Sequence, residues 1–157
     1  MYFTEEAGED TWVICLDLQQ AMPTPKVPSN IAFYKRKLFT LNFGIHDYKR
    51  NQGYMFIWDE VIANRGANEI CSCIYKFITN HIPAHVKKLV IFSDNCPGQN
   101  KNNIILLFYL FLIHTGRFQE VSDFIFIQYP NILILNIDNF NHNIFKYRQN
   151  NDICQII

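Results

Sequence analysis

Three carboxylates stand where a chain could do phosphate chemistry. Asp17 interrupts the apolar run "WVICLDL", Glu69 sits in "NRGANEI", and Asp94 ends "LVIFSD" before "NCPGQNKNN". Hard cations such as Mg²⁺ and Mn²⁺ take oxygen ligands and keep waters for substrate phosphates. Two such ions can clamp the attacking and leaving oxygens of a phosphodiester. That chemistry needs several acids converging from different elements, and Asp17, Glu69 and Asp94 are the candidates.

Each acid also has an ordinary reading. Asp94 can cap the turn before a helix, a place that Asp and Asn favour. Glu69 can be a first-turn helix acid, favoured by the helix dipole. Asp17 is harder to set aside, because a charge inside an apolar run is costly unless it is paired or metal-bound. Other candidates are weaker. Asp59 and Glu60 end a strand, and only one of them can face a given side. The five histidines, His46, His81, His85, His114 and His142, have no zinc-site spacing. Ser93 lacks a G-x-S-x-G elbow, and Gly98 lacks the rest of a phosphate loop.

The elements that must position these acids follow from periodicity. Trp12 to Leu18 reads as a buried strand. "QQAMPTPKVPSN" follows, and its three prolines argue against regular structure. Phe33 to Leu38 reads as a short helical turn. Phe39 to His46 and Gly53 to Ile62 read as strands joined by a hairpin turn in "HDYKRNQG". Gly66 to Asn80 reads as a helix, with Ile70, Cys73, Ile74, Phe77 and Ile78 on one face. Leu89 to Ser93 is a further strand, and Asn100 to His114 is a helix that is apolar nearly all round and ended by Gly116. Phe124 to Ile127 and Ile132 to Leu135 read as one broken strand.

The order is then β-β-β-α-β-α-β. Hairpin links make the opening strands antiparallel, and the remainder needs parallel crossovers. An α/β fold is expected, with a mixed five-stranded sheet, helices on both faces and an incomplete C-terminal part. This order is shared by the ribonuclease H-like fold. The expected bounds are an N-terminal extension over 1–11, the domain over 12–138, and a poorly patterned tail over 139–157. In such a sheet, side chains at strand C-terminal ends meet in a crevice. That would bring Asp17 towards Asp94.

Composition limits the function classes. The 157 residues suit one domain, and 49% hydrophobic against 18% charged residues gives enough apolar surface for a core. The formal net charge of zero argues against a strong polyanion binder. Local basic clusters exist at Lys35, Arg36 and Lys37 and at Lys87 and Lys88. Five cysteines in no paired C-x-x-C frame suggest reduced thiols and a nuclear or cytoplasmic setting. No signal peptide is visible. The apolar run from Ile104 to Ile113 is too short to span a bilayer, so no membrane role is expected.

The segments "DLQQAMPTPK", "WDEVIANRGANEI" and "SDNCPGQNKNN" resemble those of a family of uncharacterised, transposon-associated proteins, common in insects and other invertebrates. That family has a predicted ribonuclease H-like, DDE integrase-type core. The likeness runs from about Trp12 to Glu120. It implies that Asp17 and Asp94 are the first two acids of a DDE-type set, with Glu69 as the helix acid. It implies Mg²⁺ or Mn²⁺ as cofactor and DNA or RNA as partner. Gln99, Asn100 and Lys101 would line the mouth of the site and hold a phosphate or orient a base.

The resemblance fails near the C-terminus. The family's Gly-His-Ser-like segment is missing, and "YPNILILNIDNFNHN" stands there. A gap-free placement puts Asn131 at the histidine and Asn136 or Ile137 at the last acid, and Asp138 fits only after a small shift. This implies a decayed or truncated copy. Three functions compete: a metal-dependent nuclease or transposase-like phosphoryl transferase using Asp17, Asp94 and either Glu69 or Asp138; a catalytically inactive, transposon-derived domain that binds nucleic acid or protein; and an interaction module presenting aromatic residues between Phe33 and Phe43. Oligomeric state is open at this level.

Overall fold

The computed structural model describes residues 8–24, 37–94, 102–126, 131–136, 145–149 and 152–156. In chain order the elements are β1 (Thr11–Leu18), β2 (Met22–Thr24), β3 (Leu38–Asp47), β4 (Gln52–Asp59), α1 (Ala67–His81), β5 (Lys88–Asp94), α2 (Asn103–His114), β6 (Glu120–Phe126), β7 (Asn131–Asn136), β8 (Phe145–Gln149) and β9 (Asp152–Ile156). The strands form one mixed sheet in the order β2-β3-β1-β5-β6-β7-β8-β9, with β4 paired to the other side of β3. β1–β5 and β5–β6 are parallel, and the other pairings are antiparallel. The protein is α/β.

Alternation along the strands sets which side is core. On β3, Leu41, Phe43 and Ile45 are buried, while Asn42, Gly44 and His46 between them are half-buried. The register places Leu16 opposite Ile45 and Leu18 opposite Phe43, and Ile14 beside Ile91. These side chains share one face. Helix α1 adds Ile70, Ile74, Phe77 and Ile78, spaced to make one stripe. Each such burial stabilises by roughly 2 kcal/mol.

Both described helices cover that same face. Tyr54, the register partner of Ile45, packs edge-on against Phe77 of α1 with ring centroids 5.0 Å apart. Asp123, the register partner of Ile91, is reached by Tyr109 of α2. The expectation of helices on both faces is therefore corrected: among the described residues none covers the opposite face. There Asp17, Met55 and Ile57 are exposed.

The links follow local chemistry. The β3–β4 hairpin turns through residues 48–51. Asp47, fully buried, accepts from the backbone N–H of Lys49 at 2.9 Å and of Arg50 at 3.2 Å. Asn51 takes a positive φ of 51°, which Asn tolerates. The third expected strand ends at Asp59, three residues before Ile62, because the Asp59 carboxylate accepts from the N–H of Val61 and Ile62 and turns the chain. Arg117, just after α2, ties the two helix ends together by donating to the carbonyls of Ile82 at 2.8 Å and Pro83 at 3.3 Å, just after α1.

Three further differences from the sequence reading stand out. The proline-rich stretch does hold a short strand, β2, where Pro23 pairs opposite Phe39. The broken strand is two antiparallel strands, β6 and β7. The tail adds β8 and β9, so the sheet has nine strands and not five. Of the short helix expected over Phe33 to Leu38, residues 33–36 lie outside the described residues, and Leu38 already belongs to β3. No described helix is long and apolar enough to cross a membrane.

Candidate functional site

Strands β1 and β5 run parallel and side by side, and their ladder ends at Cys15 opposite Phe92. Both strands continue. β1 stays paired to β3 through Leu18, and β5 stays paired to β6 through Asp94. The same register, continued two residues past the last pair, would set position 94 level with Asp17. Asp17 and position 94 thus lie at the C-terminal ends of adjacent parallel strands, the region where ligands bind in open α/β sheets.

Asp17 is exposed. Its partner on β3 is Gly44, so no side chain stands beside its carboxylate on that strand. A Cβ at Gly44 would come within 3.3 Å of the Met55 sulfur, which leans over the gap. Two residues earlier on the same face is Cys15. Burial, and secondarily the Asp17 charge, push its thiol above the usual range.

Polar groups collect just past the end of β1. The Gln19 N–H donates to the Asn42 carbonyl at 3.1 Å, and Asn42 Nδ2 donates to Gln19 Oε1 at 3.0 Å. Arg65, on the approach to α1, donates to the Gln19 carbonyl at 3.3 Å. Asn42 Oδ1 is buried with no hydrogen-bond partner among the described residues. Periodicity gave no signal for these three residues, because each acts through a neighbour distant in sequence.

Glu69 lies elsewhere. It sits in the first turn of α1, and its Oε2 would be 2.8 Å from a Cβ added at Gly66. It lines a groove of ≈ 400 Å³ with Trp58, Ser72, Cys73 and Lys76. That groove runs between α1 and β4, on the helix-covered side of the sheet, whereas Asp17 points to the bare side. Among the described residues no three His, Cys, Asp or Glu side chains gather closely enough to hold a metal ion. Asp138, Gln99, Asn100 and Lys101 lie outside the described residues. Positions 17 and 94 thus lie at the C-terminal ends of neighbouring parallel strands, and Glu69 lies on the other side of the sheet.

One further acid escaped the sequence reading. Asp123 on β6 is 2% exposed and accepts hydrogen bonds from Ser93 Oγ at 3.0 Å and Tyr109 OH at 3.2 Å. Burial raises its carboxyl to about 6, although both hydrogen bonds favour the ionised form. Ser93 is thus a structural donor to Asp123.

A family model described as "Domain of unknown function (DUF7869)" matches residues 35–128, more than half of the chain. No curated protein and no solved structure matches the chain. The matched span contains Glu69 and Asp94 and excludes Asp17.

Proposed function

We propose, for a chain that belongs to this DUF7869 family of unknown function, a ribonuclease H-like domain derived from a transposase or integrase. Its ancestral chemistry is metal-dependent phosphoryl transfer or cleavage of DNA or RNA. One observation carries the reading: Asp17 and Asp94 lie at the C-terminal ends of adjacent parallel strands, β1 and β5. The element order β-β-β-α-β-α-β through β6, leaving aside the short β2, supports it.

The donors suit Mg²⁺ or Mn²⁺. Both are hard cations that take carboxylates and retain waters, so two protein oxygens at an open crevice suffice for an initial site. A divalent ion there would supply positive charge to a phosphodiester oxygen. Asp17 and Asp94 would hold it. Arg65, Gln19 and Asn42 border the same strand end and would meet a nucleic-acid backbone.

A second reading has its own support. Glu69 stands on the other side of the sheet, and no described trio of metal ligands exists. A domain that keeps the fold but has lost cleavage, binding nucleic acid or protein only, would look like this.

Melting the protein with and without Mn²⁺, beside Asp17→Asn and Asp94→Asn, separates the two. A cation that binds only the folded state raises stability by about 2.7 kcal/mol at a hundredfold excess over its Kd. The first reading expects a Mn²⁺-dependent rise in Tm that either substitution abolishes, with cleavage of single- or double-stranded substrate lost in parallel. A cooperative melt indifferent to Mn²⁺, with no cleavage, would leave only the second.

A further inference from the structure

Strand β4 pairs with β3 on one side and, among the described residues, with nothing on the other. The Glu60 N–H donates to the Phe39 carbonyl, so alternation turns the backbone groups of Tyr54, Phe56 and Trp58 towards β3. The N–H and C=O of Gly53, Met55 and Ile57 then point outwards. Such an edge is a template for another strand, and proteins usually blunt it with Lys, Pro or a bulge. Here "GYMFIW" has no charge and no proline. Met55 is 60% and Ile57 66% exposed.

Above this edge runs the groove of ≈ 400 Å³, walled by α1. Glu69, Ser72, Cys73 and Lys76 follow the i, i+3, i+4, i+7 spacing and form one stripe along it. Glu69 and Lys76 sit about 10 Å apart along the helix. Neither makes an ion pair with a described residue.

We propose that this edge is a two-fold interface with a second copy of the chain, β4 pairing antiparallel with its mate about an axis at Phe56. Outward-facing residues must pair with outward-facing residues, so the axis must fall on a residue and not between two. Centred on Phe56, Met55 meets Ile57 of the other copy and Gly53 meets Asp59. The exposed apolar side chains cover each other on the bare face. Phe56 lines the groove together with Ser72 and Cys73, the middle of the helix stripe. Two-fold symmetry runs the two α1 helices in opposite directions, so Glu69 of each copy faces Lys76 of the other. An isologous interface requires this self-complementarity, and here strand pattern and charge pattern satisfy it about one axis. The inference is independent of any metal site.

Sedimentation velocity on the full chain over a range of concentrations tests it. A reversible monomer–dimer equilibrium is expected. Ile57→Pro removes one outward N–H at a position where an edge strand tolerates proline, so it should give a folded monomer. Lys76→Glu and Glu69→Lys should each weaken the dimer by about tenfold, as each replaces attraction by repulsion twice over. Mixing those two variants should restore association, because every cross-pair is then of opposite sign. If Ile57→Pro fails to fold, the charge pair decides alone. A monomer at all concentrations up to about 100 μM, or a mixture no tighter than either variant by itself, would overturn the interface.

Discussion

Asp123 is the residue whose ionisation the fold resists most clearly. It lies under α2 with two donors, Ser93 and Tyr109, and its carboxyl titrates at about 6 instead of 3.8. Between those values the folded chain holds a proton that the unfolded chain has released. Stability therefore falls as pH rises from about 4 to about 6 and levels off above. The full effect is on the order of 1–3 kcal/mol. Asp123→Asn keeps an acceptor for either donor and removes the titration. Urea unfolding at pH 4.5 and pH 7.5 should show the wild type losing stability at the higher pH from this group. The variant should lack that loss and be at least as stable as the wild type at pH 7.5. A variant that parallels the wild type at both pH values would show that Asp123 is not the titrating group. Nothing in "EVSDFIF" marks this residue, because its Ser93 partner is thirty positions away. Asp17 was legible for the opposite reason: a lone acid in an apolar run is visible locally, whatever it faces.

At the scale of elements, what could be read was what repeats. Helix α1 was plain in the sequence because Ile70, Ile74, Phe77 and Ile78 recur on one face, and all four are buried. Helix α2 reads in the sequence as apolar nearly all round, yet Ile104, Leu107 and Phe111 are exposed. Its layer has only one side, so a stripe of Ile105, Tyr109 and Leu112 does the packing. Strands β8 and β9 left no pattern: "FKYRQ" and "DICQI" pair through backbone groups, and backbone pairing is not written in side-chain period. The helix ends do obey local chemistry. Asn102 caps α2 by accepting from the N–H of Ile104 at 3.0 Å and Ile105 at 3.1 Å. Asn102→Ala should cost about 1 kcal/mol, and Asn102→Asp should keep the cap. Thermal melts of the two variants check this. Equal loss in both would mean that Asn102 matters for something other than its acceptor oxygen. Asn102 follows Asp94 by eight positions in the chain, so a measurable drop in metal affinity for Asn102→Ala, absent in Asn102→Asp, would tie the cap to the proposed site.

Among the described residues, the molecule is a sheet with two unlike faces and an uncovered edge at β4. Core residues of β1, β3 and β5 sit under both helices, while the bare face carries Asp17 and the end of β5. Function and assembly are thereby separated: the proposed metal crevice opens between β1 and β5, and the proposed dimer edge lies two strands away at β4. Amide hydrogen exchange along β4 tests this geometry directly. Amides held by β3, those of Tyr54, Phe56 and Trp58, should exchange slowly, through unfolding events of large free energy. Those of Gly53, Met55 and Ile57 point away from β3 and should exchange fast in dilute protein. A register slipped by one residue would invert the alternation, because every group changes side. Raising the concentration then reads the interface. The Met55 and Ile57 amides, donating to carbonyls of the second copy, should slow as dimer forms, and the even-numbered amides should not change. Slowing of the whole strand together would indicate general stabilisation by association at some other surface. Slowing confined to the outward, odd-numbered amides, Met55 and Ile57 at the centre, is the signature of a strand added at this edge.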